Sequence, residues 1–258
     1  MGNVIITTSW DDCHPSNIKL GKLLKKYSIP ATFYIPIKHI GLGRKFKYFK
    51  RREIMTPEQI RKLSKNFDIG GHTFRHTDLT KVSSKKAKEE ILEGKKTLEK
   101  LIRREIISFC YPYGNFNEKV IDVLKKIGFK GARTTSLFTR KIEDSFKMGT
   151  MIQAAQRSNW NYAYNFIKQF LKFNDLRLSQ FILKKYLFNK PWDQIAIETL
   201  EFVMKNGGIW HLYGHSWEID GNNDWKKLEK LFRKIKNMKK DAKFMSNSDL
   251  LLMLSSVK

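Results

Sequence analysis

The chain is short of several things, and each shortage excludes something. Only two cysteines, Cys13 and Cys110, occur in 258 residues. That is too few for a disulfide framework and too scattered for a zinc ribbon, so a reducing compartment is expected. Acidic residues are scarce, with 25 Asp and Glu against 50 Lys and Arg and a formal charge of +25. A field of that sign favours anionic surfaces such as nucleic acid, acidic polymer, lipid headgroups or phosphorylated glycans, although much of it also reads as a solvated shell. No apolar run reaches membrane-spanning length, and the opening MGNVIITTSWDD has no basic leader region and no small-residue cleavage site. The expectation is therefore no integral membrane segment and a cytoplasmic location, with peripheral attachment at the inner membrane surface as a variant. Internal repeats, low-complexity linkers and composition breaks are missing too, which predicts a single domain over 1–258, carrying a helical insertion over 156–190.

What is present suits a folded α/β domain. Residues are 41% hydrophobic and 13% aromatic, enough for a sizeable core and unlike chains that stay unfolded. Short apolar runs alternate with longer helical patterns, the signature of βα units around a largely parallel sheet or barrel. Strands are predicted at Val4 to Trp10, Ala31 to Ile37, Asp68 to His72, Ile106 to Tyr111, Phe129 to Thr134 and Ile209 to Tyr213. Helices are predicted at Ile18 to Tyr27, from Thr56, at Ser84 to Ile102, Asn117 to Ile127, Asn161 to Phe188, Trp192 to Asn206, Trp225 to Lys239 and Asp249 to Leu254. Thr56 with Gln59 makes a capping box ahead of Pro57, and Gly128 is placed to end a helix in a left-handed cap. The basic stretch Arg44 to Arg52 lacks periodicity and reads as a loop, whereas Phe166, Phe170, Phe173 and Phe181 read as a core-facing stripe.

Four segments fall where strands should end, the place where α/β enzymes hold catalytic groups. Asp11-Asp12 sets two carboxylates side by side, which repel unless a cation, a proton or a hydrogen-bond network separates their roles; the same pair also suits a helix cap. His72 and His76 are four apart, a spacing that on a helical turn aims two imidazoles at one ion. Thr73 stands where a helix-borne metallopeptidase would carry Glu. Tyr111-Pro112-Tyr113-Gly114 closes a strand with a turn that frees backbone N–H groups, which is what an oxyanion needs, though it also reads as an ordinary strand-ending turn. The segment Trp210 to Glu218 puts His211 and His215 on one side of a late strand, where either also reads as a core histidine.

In this order the four segments resemble the motifs of the polysaccharide deacetylase family, also called the NodB-homology or carbohydrate esterase 4 family, over residues 5–218. The tyrosine-proline-tyrosine third motif resembles one subgroup of it. The resemblance implies a distorted (β/α) barrel with about seven parallel strands and a divalent metal, zinc by habit of the family, held by Asp12, His72 and His76. It further implies Asp11 as general base, His215 as the acid for the leaving amine and the Tyr113 backbone N–H at the oxyanion. The arginine common in the third motif would fall at Cys110, and Arg133 on the following strand is expected to replace it and tune Asp11. His14, Tyr111, Tyr113, His211 and Trp217 are the expected substrate contacts, and Cys13 stands where the family usually has Gly.

The implied reaction is hydrolysis of an N-acyl, in the first instance N-acetyl, group on an amino sugar of a polysaccharide or glycoconjugate. An alternative is a related amide hydrolase acting on a small, nucleotide-linked or lipid-linked sugar or a cyclic imide, for which an anionic substrate would suit Lys45, Lys47, Lys50, Arg51 and Arg52. Nucleic-acid binding through the net charge ranks last, and the intact set Asp11, Asp12, His72 and His76 speaks against a decayed binding protein.

Overall fold

A computed structural model describes residues 4–38, 54–173, 175–185 and 189–256; the loop read over Arg44 to Arg52 lies outside them. The first half of the chain runs β1 (Val4–Asp11), α1 (Ser16–Lys26), β2 (Thr32–Ile35), α2 (Pro57–Ser64), β3 (Asp68–Gly71), α3 (Ser84–Ile102), β4 (Ser108–Cys110), α4 (Glu118–Ile127) and β5 (Gly131–Arg133). The second half runs β6 (Ile152–Gln153), α5 (Asn159–Phe173), α6 (Leu176–Lys184), α7 (Trp192–Asn206), β7 (Gly208–His215), α8 (Ser216–Gly221), α9 (Trp225–Asn237), β8 (Lys243–Phe244) and α10 (Asn247–Ser256).

Seven parallel strands lie in the order β5-β4-β3-β2-β1-β7-β6 and curl into a half-barrel. The eighth, β8, pairs with β1 at Ile5 and Ile6, below the point where β2 joins at Ser9. Because β1 is buried along its whole length, its alternation sorts side chains into an outer core and a barrel interior. Outward, Trp10 meets Phe232 of α9 edge-on at 6.4 Å. Trp192 and Trp210 are buried in the same core cluster, with their ring N–H groups bonded to Asp224 (2.9 Å) and Thr199 (3.2 Å), so neither indole is stranded.

Inward, the interior is polar. Thr7 bonds Asn247 at 2.7 Å, Ser9 bonds His211 at 2.8 Å, and Asp11 receives Arg133. Asn247, the first residue of α10, also donates to the Tyr34 hydroxyl at 2.9 Å, so α10 closes the end of the barrel opposite the strand C-termini. Gly70 is required here: a Cβ on it would come within 2.3 Å of the Tyr34 ring.

Several sequence expectations change. The helix over Asn161 to Phe188 is two helices, with Asp175 accepting from the Leu178 N–H to start α6; residues 186–188 lie outside the described chain. Its phenylalanine stripe divides, since Phe166 and Phe181 pack on the core whereas Phe170 is exposed. The Phe173 side chain lies outside the described residues. The two-residue strands β6 and β8 and the short α8 were not expected, because segments of that length are set by their neighbours rather than by their own pattern.

Candidate metal and catalytic site

The C-terminal ends of β1, β3, β4, β5 and β7 converge. Asp11 is the last residue of β1 and keeps the inward direction of its strand; Asp12 then takes a left-handed backbone (φ 73°) that turns its side chain to the other flank. The adjacent carboxylates are thereby separated. His72 follows β3 directly, and the pair His72 and His76 sits in a loop, not on the helical turn that the spacing suggested. Two left-handed residues, Thr73 (φ 62°) and His76 (φ 58°), fold that loop. Helix α3 clamps it: Glu90 accepts from Phe74 N–H through its carbonyl (2.9 Å) and from Arg75 N–H through its carboxylate (2.8 Å). Gly94 makes the close approach of α3 feasible, because a Cβ there would lie 2.9 Å from the Thr73 backbone.

Eight non-glycine residues among those described have positive φ, and four of them, Asp12, Thr73, His76 and Tyr113, are at this site. Strain of this kind persists where surrounding structure over-determines it, and a β-branched Thr73 is a costly place to put it.

Asp12, His72 and His76 offer one oxygen and two nitrogens within 4.8 Å of one another. His72 Nδ1 is 2.8 Å from the Cys110 carbonyl, which assigns the ring proton to Nδ1 and leaves the Nε2 lone pair available to a metal. Burial first, then the neighbouring His76, lowers the His72 pKa to about 4, so the ring is neutral at pH 7 as a ligand must be. Burial would raise the Asp12 pKa, but His76, His215 and His72 reverse that and keep it a carboxylate. Trp217 Nε1–H donates to Asp12 Oδ2 at 3.0 Å, which orients that carboxylate. The donor set fits a divalent cation with positions left open. A second grouping, Asp11, His72 and Cys110, does not fit: the Arg133 guanidinium already lies on both Asp11 and Cys110, and burial holds the Cys110 thiol well above its ordinary pKa. Cys13 is excluded as well, its thiol pushed up to about 12 by burial beside Met55.

Asp11 is almost wholly buried, which by itself would raise its pKa, yet Arg133, His72 and His215 bring it down to about 2. Arg133 Nη2 bonds Asp11 Oδ2 and the Cys110 sulfur, and its guanidinium lies over the Tyr213 ring at 4.6 Å. Asp11 Oδ1 is buried with no hydrogen-bond partner among the described residues. A charged oxygen is rarely left so unless something else is to meet it.

His215 lies opposite Asp11 in the β1–β7 register, with Nε2 3.9 Å from Asp11 Oδ2. Burial would lower its pKa, but the Glu218 carboxylate, 2.7 Å from Nδ1, together with Asp12 and Asp11, raises it above the ordinary value. Glu218 is held in turn by Gln153 Nε2 (3.0 Å) and Arg157 Nη2 (2.9 Å), and Tyr213 donates to Gln153 Oε1 at 2.6 Å. Glu218, Gln153 and Arg157 are not among the residues expected from the sequence; the one available signal is the three-residue step from His215 to Glu218 at the start of α8.

Above these groups opens a cleft of about 1130 Å³ lined by Asp11, Asp12, His72, His76, His215 and Glu218 together with Tyr111, Tyr113 and Trp217. Tyr113, in a left-handed turn, is half exposed and sets its ring edge to His76 at 4.8 Å. Tyr111 is buried, its hydroxyl donated to the Phe146 carbonyl, so it shapes the cleft from below. Two expected substrate contacts are not brought there. His211 is buried in the barrel interior against Ser9, and burial with nearby Arg133 lowers its pKa to about 3. His14 turns to Ser16 at 2.6 Å and does not line the cleft.

Comparison with known proteins agrees with this architecture. A Bacillus cereus peptidoglycan-N-acetylglucosamine deacetylase is 30% identical over 108 residues, 42% of this chain and 45% of that protein, so the chain spans less than half the length of this curated relative. A Streptomyces lividans family 4 carbohydrate esterase, solved with acetate, superposes with a TM-score of 0.54 at 14% identity, covering 91% of this chain and 90% of that one. A Mycobacterium smegmatis structure, provisionally assigned as a polysaccharide deacetylase, gives 0.62 at 13% identity over 99% of this chain and 91% of its own. Likeness at such identities speaks for the fold alone. A family model described as polysaccharide deacetylase matches residues 2–132, half of the chain and the half that carries Asp11, Asp12, His72 and His76, and the chain belongs to the polysaccharide deacetylase family.

Proposed function

We propose that this protein is a metal-dependent hydrolase that removes an N-acyl group, N-acetyl in the first instance, from an amino sugar of a polysaccharide or glycoconjugate. The observation that carries the reading is the divergence of two neighbouring carboxylates: Asp12 joins two imidazoles, while Asp11 keeps a buried oxygen with no described partner. A divalent ion, zinc by the donor set, would polarise the acyl carbonyl and acidify a water when bound to Asp12, His72 and His76.

The remaining steps belong to side chains. Asp11, held as carboxylate by Arg133, accepts through Oδ1 the proton of the attacking water as its oxygen bonds to the acyl carbon. The Tyr113 backbone N–H, in a left-handed turn of the cleft lining, donates to the carbonyl oxygen as it gains charge. As the carbon–nitrogen bond breaks, His215 Nε2 gives its proton to the departing nitrogen, which leaves as a neutral amine; the acyl group leaves as carboxylate. Glu218 on Nδ1 favours the protonated His215 that this step needs.

A cleft of about 1130 Å³ with an exposed Tyr113 suits more than one sugar ring, which favours an oligomeric substrate. Arg133 beside Asp11, with Cys110 at the usual arginine position, supports the tyrosine-proline-tyrosine subgroup. The test measures bound metal and acetate or formate release over a panel of N-acylated oligosaccharides. Wild type should bind about one ion and turn over, and Asp11→Asn should keep the ion and lose turnover by about 10²- to 10⁴-fold. An inactive wild type that binds no divalent metal would sink the proposal.

A further inference from the structure

Nine large apolar side chains stand exposed among the described residues, and seven of them lie on α5 and α6: Trp160, Tyr164, Ile167, Phe170, Leu171, Leu176 and Leu183. On α5 the arrangement is ordered. At 3.6 residues per turn Trp160, Tyr164, Ile167 and Leu171 fall within an arc of about 60°. Trp160 is 85% and Leu171 77% exposed, whereas Tyr162 and Gln169 on the opposite face are buried. An amphipathic helix that packs one face on the core normally turns a polar face to water, whereas α5 turns this apolar stripe there as well.

The charges carried by these two helices have one sign. Neither α5 nor α6 contains an acidic residue, while Lys168, Arg177 and Lys184 are exposed on them and Lys185 follows directly. Asp175 between the helices is committed to Arg140, with Oδ1 accepting from Nη2 at 3.0 Å. A second copy docking through the same face would bring these cations together, so self-association is disfavoured. A glycan would stack on Trp160 and Tyr164 but gains little from Ile167, Leu171, Leu176 and Leu183. An anionic bilayer suits all of them, with aliphatic groups entering the acyl boundary, Trp and Tyr at headgroup depth and Lys and Arg on the lipid phosphates. None of the described helices is long and apolar enough to cross a membrane, so the contact would be interfacial.

We infer that the exposed face of α5, with α6 beside it, docks this protein on an anionic lipid bilayer. The face is continuous with the cleft, because Tyr164 belongs to the stripe and, with Lys168, to the cleft wall. Docking would therefore hold the cleft mouth at headgroup level, within reach of an amino sugar carried at the membrane surface.

The full chain is floated with vesicles of phosphatidylcholine alone and of phosphatidylcholine with phosphatidylglycerol. It should float with the anionic vesicles and not with the neutral ones. Ile167→Ser with Leu171→Ser should weaken that binding by at least about tenfold at unchanged thermal melting. Brominated lipid in the anionic vesicles should quench wild-type tryptophan emission, and Trp160→Phe should lose most of that quenching. Wild type failing to float, floating equally with neutral vesicles, or showing no quenching would overturn the inference. So would a lipid-free dimer that the double variant abolishes. These readouts do not use turnover, so they stand or fall apart from the deacetylase reading.

Discussion

The sheet ends around Asp11 and the helices α5 and α6 depart from the usual distribution of polar and apolar groups in opposite senses. Around Asp11 charged and polar side chains are buried: Asp11, His72, Arg133 and His211 are all closed off from solvent. On α5 and α6 it is the apolar side chains that stand in water. Both departures are informative, since a buried polar group or a clustered exposed apolar patch needs a reason whereas the converse does not. The first is compensated inside the molecule in charge, by Arg133 on Asp11 and Glu218 on His215, with Asp11 Oδ1 left without a partner among the described residues. The second is compensated by nothing among the described residues. Substitutions at the sheet ends should therefore disturb chemistry and stability together, and substitutions on the exposed face of α5 should disturb neither in plain buffer.

The largest effect is expected at His72. His72→Ala removes one of three donors and the imidazole whose proton is tied to the Cys110 carbonyl. Bound metal measured by elemental analysis should fall to background, and kcat/KM should drop by about 10³-fold or more, the scale of several kcal/mol of lost charge stabilisation. Metal retention with full turnover would remove His72 from the site and break the comparison at its centre.

Next comes Arg133→Met. The substitution keeps bulk but leaves the Asp11 carboxylate buried without its cation, and breaking a buried pair from one side costs about 3–5 kcal/mol. Urea unfolding should show that loss. The sign with pH follows from Asp11: its lowered pKa means that the carboxylate contributes stability above its unfolded value, which is lost as pH falls towards about 2. In the variant that contribution should vanish, so the stability gap between wild type and Arg133→Met should narrow on acidification.

Much of the fold is legible in the sequence, and the residues that are not share a cause. The capping box at Thr56 and Gln59 and the left-handed Gly128 are local devices, and both form as their spacing suggests. β6 and β8, two residues each, exist only because β7 and β1 lie beside them. The four-residue step from His72 to His76 is compatible with a helical turn and with a loop of two left-handed residues, and spacing alone cannot choose between them. The candidate site divides in the same way. Asp11, Asp12, His72 and His76 are visible as motifs at strand ends, whereas Gln153 and Arg157 reach Glu218 only through the β6–β7 pairing and carry no pattern of their own. Trp217, expected as a substrate contact, donates to Asp12 through its ring N–H.

Glu218→Gln gives a smaller effect of known direction. The neutral amide still reaches His215 Nδ1, but the charge that raises the His215 pKa is gone. Because the acid must be protonated to serve the leaving amine, the alkaline limb of the kcat profile should move to lower pH. Turnover should fall most on the alkaline side, by about tenfold, with less loss on the acid side. An alkaline limb that stays in place would assign the acid to another group and loosen the buried network from the chemistry.

The smallest effect should come from the other region. Ile167→Ser and Leu171→Ser replace side chains that stay more than half exposed in the folded chain, so only a small part of the transfer free energy is lost. In lipid-free buffer each should change stability by no more than about 0.5 kcal/mol and leave turnover of a soluble oligosaccharide within about twofold. Ile182→Ser, on α6 but buried, supplies the contrast and should cost roughly 2–5 kcal/mol. Should the two exposed sites prove as costly as Ile182, the face of α5 is covered within the protein, and the contrast between a self-compensated site and an uncompensated surface disappears.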